Sequence, residues 1–232
     1  GYGLFGSFVD TDARDSDRYL FHLGQGGLGL PDESYYRDDK FAETRDAYRA
    51  YVERMLSLVG HADPAAGAEQ VLAIETRLAA GHWERAETRD VQKTYNLLTA
   101  DELRALCPSF DWDVYVTNLG GTVVGPDVVL REVVVRQPSF LAHLSALLGG
   151  PDGDVEPWRA WMLVRVARSG APYLTDELVE TNFDFYGRTL SGTPQLRERW
   201  KRAVSFVEGT IGEAVGREYV ARHFPPRSKQ LM

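Results

Sequence analysis

The stretch GQGGLGLPDE, residues 24–33, decides how this chain is read. Gly24, Gly26 and Gly29 carry the spacing G-x-G-x-x-G, which marks loops that hold a dinucleotide pyrophosphate. Such a loop needs a strand running into it and a helix opening within it, so that free amides and the helix dipole face the phosphates. Residues 18–23 (RYLFHL) read as the strand. The helix is missing, because Pro31 biases Leu30 away from the helical region and delays any helix to Pro31 or later. No second strand arrives with a ribose-binding acid, and a long charged helical pattern occupies that stretch instead. The segment is therefore a strand-to-helix connector, and its glycines serve tight backbone passage or positive φ angles.

Working outward from this connector, the chain reads as mainly α: a multi-helix domain with a small N-terminal β-hairpin. Residues 1–30 form the hairpin and its glycine-rich connector, and residues 31–232 form the helical part. Strands at 3–9 and 18–23 flank a polar turn, Thr11 to Asp17. Residues 38–60 place Phe41, Tyr48, Val52, Met55, Leu56 and Val59 on one apolar stripe. Asp63-Pro64 supplies an N-cap and a first-turn proline for a helix that ends near Gly81. Thr99 and Glu102 make a capping box for a short helix that Pro108 stops. The β-branched run 122–135, interrupted by Gly125-Pro126, predicts extended chain with a strand around 128–134. Pro138 opens a helix to about Leu148, and GGPDGD at 149–154 breaks the chain. Helices follow from Pro157 to about Arg168 and from Thr175 through Tyr186. The longest begins at Thr193-Pro194 and carries Leu196, Trp200, Val204, Val207, Ile211, Val215 and Tyr219 on one face. Gly209, Gly212 and Gly216 on that helix are expected to permit close helix approach.

The composition excludes several classes of function. With 232 residues, 44% of them hydrophobic, and a net charge of -8, the chain lacks the concentrated basic face that nucleic acid requires. The run Arg197–Arg202 (RERWKR) reads as the wet side of a helix. Cys107 is the only cysteine, so there is neither an intrachain disulfide nor a cysteine zinc cluster. No apolar run approaches a membrane span, the opening GYGLFGSFVD has no basic region followed by a greasy core, and no glycosylation sequon occurs. The opening GLFGSFV begins inside a strand, as a piece of something longer would. The composition suits a bacterial protein, and location is left open between secreted, membrane-associated through an upstream segment, and cytoplasmic.

The search for chemistry returns little. The five histidines stand at least 21 residues apart, so no i, i+4 pair can grip a metal from one helix. His82 and Glu84 read as a solvated helix end, and Cys107 as a small buried residue. GRTLSGT at 187–193 has the glycine spacing of a phosphate loop, with Thr193 where the lysine belongs. Trp83, Trp112, Trp158, Trp161 and Trp200 read as core positions. No catalytic, cofactor-binding or metal-binding residue is assigned in this chain.

Five stretches in order resemble the neprilysin-like (M13) zinc metallopeptidases. They are QGGLGLPDESYY (25–36), KTYNLLTADEL (93–103), FDW (110–112) with Tyr115, FYGRTLSGTPQLRERWKRAV (185–204) and AVGREYVARHFPPRSK (214–229). Leu97 and Leu98 replace the proline and methionine usual in the second stretch. The resemblance implies a fragment of a zinc metalloendopeptidase that cleaves short peptides. Its large helical non-catalytic domain would face the catalytic domain across an enclosed cavity and limit access. The family's H-E-x-x-H helix, its E-x-x-x-D ligand segment and its Asn-Ala substrate clamp are absent from this sequence. In the intact family enzyme a zinc-activated water attacks the peptide carbonyl with help from the motif glutamate. Zinc thus belongs to that intact enzyme, with no cofactor expected in this chain. The implied partners are the catalytic domain of the same polypeptide and peptide substrates, with no nucleic acid and no membrane span in this segment. The alternative is a stand-alone, non-enzymatic helical module that binds a peptide or protein.

Overall fold

A computed structural model describes residues 3–119, 124–150, 155–224 and 227–228. The hairpin pairs β1 (Phe5–Asp12) with β2 (Asp15–Gln25) in antiparallel register, Phe5 opposite Gln25 and Thr11 opposite Tyr19. The turn is tighter than the polar run 11–17 predicts. Asp12 closes it by accepting the Arg14 amide at 3.0 Å and the Arg18 guanidinium at 2.7 Å, which lets both strands run into the polar run.

The chain then becomes mainly helical. A short α1 (Ser34–Arg37) leads to α2 (Ala42–Leu58), which buries Tyr48, Tyr51, Val52, Met55 and Leu56 along one stripe. Asp63 caps α3 (Pro64–Ala79) by accepting the Ala66 amide at 3.1 Å, with Pro64 in the first turn. Strand β3 (Leu97–Thr99) runs directly into α4 (Ala100–Leu106), whose Thr99–Glu102 capping box forms in both directions. Next come α5 (Trp112–Asn118), α6 (Pro126–Val129), β4 (Glu132–Val135), α7 (Pro138–Leu148) and α8 (Glu156–Gly170). Helix α9 (Asp176–Phe183) continues into a π-helical stretch, Asp184–Thr189, before α10 (Arg199–His223).

The hairpin is the edge pair of a four-stranded sheet ordered β1-β2-β4-β3, with β4 parallel to β2 and antiparallel to β3. Phe5, Phe21, Leu23, Val133 and Val135 join Met55, Leu56, Val71, Leu78 and Trp161 in one contiguous core. Each such side chain contributes about 1.5–3 kcal/mol by leaving water.

Three sequence readings change here. The strand expected at 128–134 is shorter, because Gly125 and Pro126 start α6 and only Glu132–Val135 pairs. Residues 122 and 123 of that run lie outside the described residues, as do 151–154 of the expected break, whose first residue Gly149 ends α7. The last helix starts at Arg199 and not at Thr193, because the Thr193 amide bonds back to the Gly187 carbonyl at 2.9 Å and closes the preceding turn.

Helix α10 departs furthest from expectation. None of its residues is buried, its backbone is non-helical at Ile211, and Trp200 and Tyr219 are each 63% exposed. Nothing lies within 4 Å of where a Cβ would stand on Gly209, Gly212 or Gly216. The apolar stripe is real but stays uncovered among the described residues; beside it only Phe206 meets another element's ring, that of Tyr173 at 5.0 Å.

Candidate functional site

The carbonyls of the glycine-rich connector are held by side chains from three elements: the loop after α3, helix α8 and the π-helical stretch. His82 Nε2 donates to the Gly26 carbonyl at 2.9 Å, and Trp161 Nε1 to that of Gly27 at 3.1 Å. Arg165 donates to Leu28 O at 2.7 Å, while Tyr186 and Arg168 both reach Gly29 O, at 2.9 and 3.3 Å. On the other side of the backbone, the Gly29 and Leu30 amides donate to one acceptor, the Tyr36 hydroxyl, at 3.1 and 3.0 Å.

Tyr36 in turn donates its hydroxyl hydrogen bond to Glu75 at 2.6 Å, and Tyr48 donates to the same carboxyl group at 3.1 Å. Glu75 is fully buried, and burial pushes its carboxyl above the usual carboxylate range. Burial also drives the Tyr36 and Tyr48 hydroxyls well above an ordinary phenol, with the Glu75 charge adding to it. These hydroxyls therefore stay protonated and act as fixed donors.

Two glycines show what the loop requires. Gly27 has φ +89°, a conformation that costs a side-chain-bearing residue free energy. A Cβ on Gly29 would stand 1.8 Å from the Tyr48 hydroxyl oxygen, so only glycine lets α2 approach. The G-x-G-x-x-G match is thus a packing device. The amides a phosphate would need at Gly29 and Leu30 are spent on Tyr36, and no helix opens in the loop.

His82 is not the solvated helix end that the sequence predicts. It is partly buried between Gly26 and the Phe140 ring, and burial lowers its pKa to about 4. It is therefore neutral at pH 7 with its proton on Nε2. Cys107 is fully buried and its thiol is pushed up by burial, which makes it a poor nucleophile. The GRTLSGT stretch forms the π-helical turn and a positive-φ Gly192, with no helix opening behind it to receive a phosphate. Of the five tryptophans, Trp112 and Trp161 are fully buried, whereas Trp200 is exposed. Among the described residues no group of three or more His, Cys, Asp or Glu could hold a metal ion.

Beside the connector lies a cleft of about 610 Å³, lined by Gly6 and Phe8 of β1, by Gly24 to Leu28, and by Asp32 and Glu33. Its cationic lining comes from Arg85, Arg136 and Arg165. The sequence reading singled out neither Arg85 nor Arg136. They lie 51 positions apart in sequence, and only the β2–β4 pairing, which puts Leu23 opposite Val135, brings Arg136 to the end of the hairpin.

Comparison with known proteins gives one consistent result. The model for the N-terminal region of peptidase family M13 matches residues 1–232. Endothelin-converting enzyme 1 of Cavia porcellus is 28% identical over 237 residues, covering 98% of this chain and 30% of that protein. Neutral endopeptidase of Lactobacillus helveticus is 27% identical over 95% of this chain and 33% of its own length. The open-state structure of the Mycobacterium tuberculosis zinc metalloprotease Zmp1 superposes with a TM-score of 0.91 and 47% identity, over 98% of this chain and 35% of that one. The chain thus spans about a third of the length of the relatives it matches.

Proposed function

The chain belongs to peptidase family M13, of which it represents the N-terminal region, and from that premise we propose that it serves as the non-catalytic wall of a zinc endopeptidase. In this reading the helical part, residues 31–232, faces a catalytic domain supplied by the same polypeptide and limits access to short peptides. The hairpin and connector, residues 1–30, form its frame. Bond cleavage and zinc binding belong to that other domain, and no catalytic or metal residue is assigned to residues 1–232.

The observation that carries the proposal is α10. A 25-residue helix with no buried side chain, whose one ring contact with another element among the described residues is Phe206 against Tyr173 at 5.0 Å, gains little from packing, and helical propensity alone leaves helices of this kind marginal in water. Trp200, Val204, Phe206, Val207, Ile211, Val215, Tyr219 and Val220 are all exposed on it. So large an apolar surface on one element marks a contact face. The relatives, three times as long, contain the further polypeptide that such a face would take.

The test is a set of quenched-fluorescence peptides of increasing length, offered to the protein as its gene encodes it. Short peptides are cleaved, a chelator stops cleavage, zinc restores it, and the rate falls steeply as the peptides lengthen. The 232-residue chain alone binds no stoichiometric zinc and cleaves nothing. Zinc-dependent hydrolysis by a verified 232-residue chain overturns the proposal. A gene product that ends at Met232 and binds peptide without cleaving it points instead to the stand-alone module.

A further inference from the structure

Arg136 leaves β4 at the mouth of the 610 Å³ cleft, and its stem lies across the end of β2. A Cβ on Gly24 would stand 3.6 Å from Arg136 Cδ and 3.5 Å from Gln137 Oε1, so the bare glycine lets the arginine lie close to the strand. Gln137 is buried and holds this corner by accepting the Gln25 amide at 2.9 Å. Arg85, in the loop after α3, lines the same cleft. The fates of the three cleft arginines differ. Arg165 is spent on the Leu28 carbonyl, while Arg136, half-buried, and Arg85, exposed, have neither an ion pair nor a side-chain hydrogen bond among the described residues.

The carboxylates of the cleft do not answer them. Asp32 accepts the Ser34 amide and hydroxyl, and Glu33 makes no ion pair among the described residues. The connector that floors the cleft is fixed at its four carbonyls from Gly26 to Gly29, so the cleft keeps its shape. A guanidinium presents a planar fork that matches the two oxygens of a carboxylate. Two of them in one preformed cleft, with no partner among the described residues, are arranged for a carboxylate that arrives from outside.

We infer that this cleft is a specificity subsite of the peptidase, in which Arg136 and Arg85 grip a carboxylate of the peptide substrate. The inference rests on the peptidase reading for the identity of its ligand as a peptide. A glutamate side chain and a free C-terminus carry the same two oxygens, so the probes vary them separately.

The experiment measures equilibrium binding, which does not depend on turnover. Heptapeptides labelled with an uncharged fluorophore of the BODIPY class carry one Glu or its Gln counterpart, each with a free or an amidated C-terminus, in an otherwise neutral background. They are titrated into the protein as its gene encodes it, with zinc chelated. The peptide bearing the recognised carboxylate binds about tenfold tighter than its amide counterpart, the effect of one charge-assisted hydrogen-bonded contact. The ratio falls towards one in the Arg85→Gln/Arg136→Gln double variant and shrinks with added salt. Arg136→Lys, which keeps the charge and loses the fork, gives an intermediate ratio. Because Arg85 is exposed, the single Arg85→Gln variant reads the effect without disturbing the fold.

Equal affinity for all four peptides, or a ratio unchanged in the double variant, overturns the inference. The pair that shows the ratio identifies the carboxylate. Failure of the peptidase reading would show separately, as an absence of cleavage with the affinity ratio intact.

Discussion

Gly29→Ala puts a methyl group where Tyr48 already stands. The new Cβ would lie 1.8 Å from the Tyr48 hydroxyl oxygen, 2.4 Å from Cζ and 3.0 Å from Glu75 Oε2. The ring would have to retreat by roughly an ångström, and overpacking of that kind costs about 1–3 kcal/mol. It has no room, since Tyr48 is 1% exposed and packs against Phe185 at a centroid distance of 5.3 Å. Retreat would also break the Tyr48–Glu75 hydrogen bond and leave a buried carboxyl one donor short, a further cost of about 1–3 kcal/mol. Together these come to about 2–6 kcal/mol, or roughly 4–24 °C in Tm for a chain of this size. The assay is urea and thermal unfolding of wild type, Gly29→Ala, Tyr48→Phe and the double variant. Tyr48→Phe removes the atom nearest the new methyl, so the double variant loses less stability than the two single variants combined. A Gly29→Ala protein within about 0.5 kcal/mol of wild type would refute the reasoning.

Two further predictions concern pH and two concern α10. Burial raises the Glu75 pKa, so the folded state holds that proton more firmly than the unfolded chain does. Its contribution is fully present below the unfolded value of 4.5 and is lost as pH rises through the folded pKa. The urea midpoint of wild type relative to Glu75→Gln therefore falls as pH climbs above that value. His82 works in the opposite direction: its pKa drops from 6.5 to about 4, so its stabilisation is present above 6.5 and is lost as pH falls through 4. His82→Gln should flatten the acid limb of the stability curve between those values, and an unchanged limb would contradict the burial that lowers the His82 pKa. Val207→Glu, on the exposed face of α10, should change the stability of the 232-residue chain by less than about 0.5 kcal/mol. The same change should destabilise a longer polypeptide in which that face is covered. Gly212→Ala meets nothing within 4 Å and should stabilise α10 in the isolated chain by about 1 kcal/mol, read by helical circular dichroism during melting.

What was legible in the sequence was local. Asp63-Pro64, the Thr99–Glu102 box and Pro138 each carry their chemistry within a few residues, and each marks a helix start in the structure. The failed dinucleotide context around Pro31 was also local, and it correctly pointed to a helical fold. Contacts between distant residues could not be read this way. Strand β3 has only three residues, too few for alternation to show, and it exists because Leu97–Thr99 pairs with β4. Glu75 looked like any helix carboxylate until α2, α1 and the connector closed over it. Arg85 and Arg136 are ordinary surface charges in sequence; the β2–β4 pairing brings Arg136 to the cleft, and the Gln25–Trp83 hydrogen bonds bring the loop that carries Arg85. The stripe on α10 was visible, yet periodicity records only that a face is apolar and not which body covers it.

Amide hydrogen exchange across residues 199–223 tests the account most directly, compared between the 232-residue chain and the protein as its gene encodes it. With no buried side chain, α10 should exchange within the fast regime of marginal helices in the 232-residue chain. In the whole gene product the segment from Trp200 to Tyr219 should be protected by about a hundredfold or more, as the apolar face is covered by the rest of the polypeptide. Equal exchange in both would show that nothing packs on α10. It would contradict the claim that this domain works as one wall of a two-part peptidase.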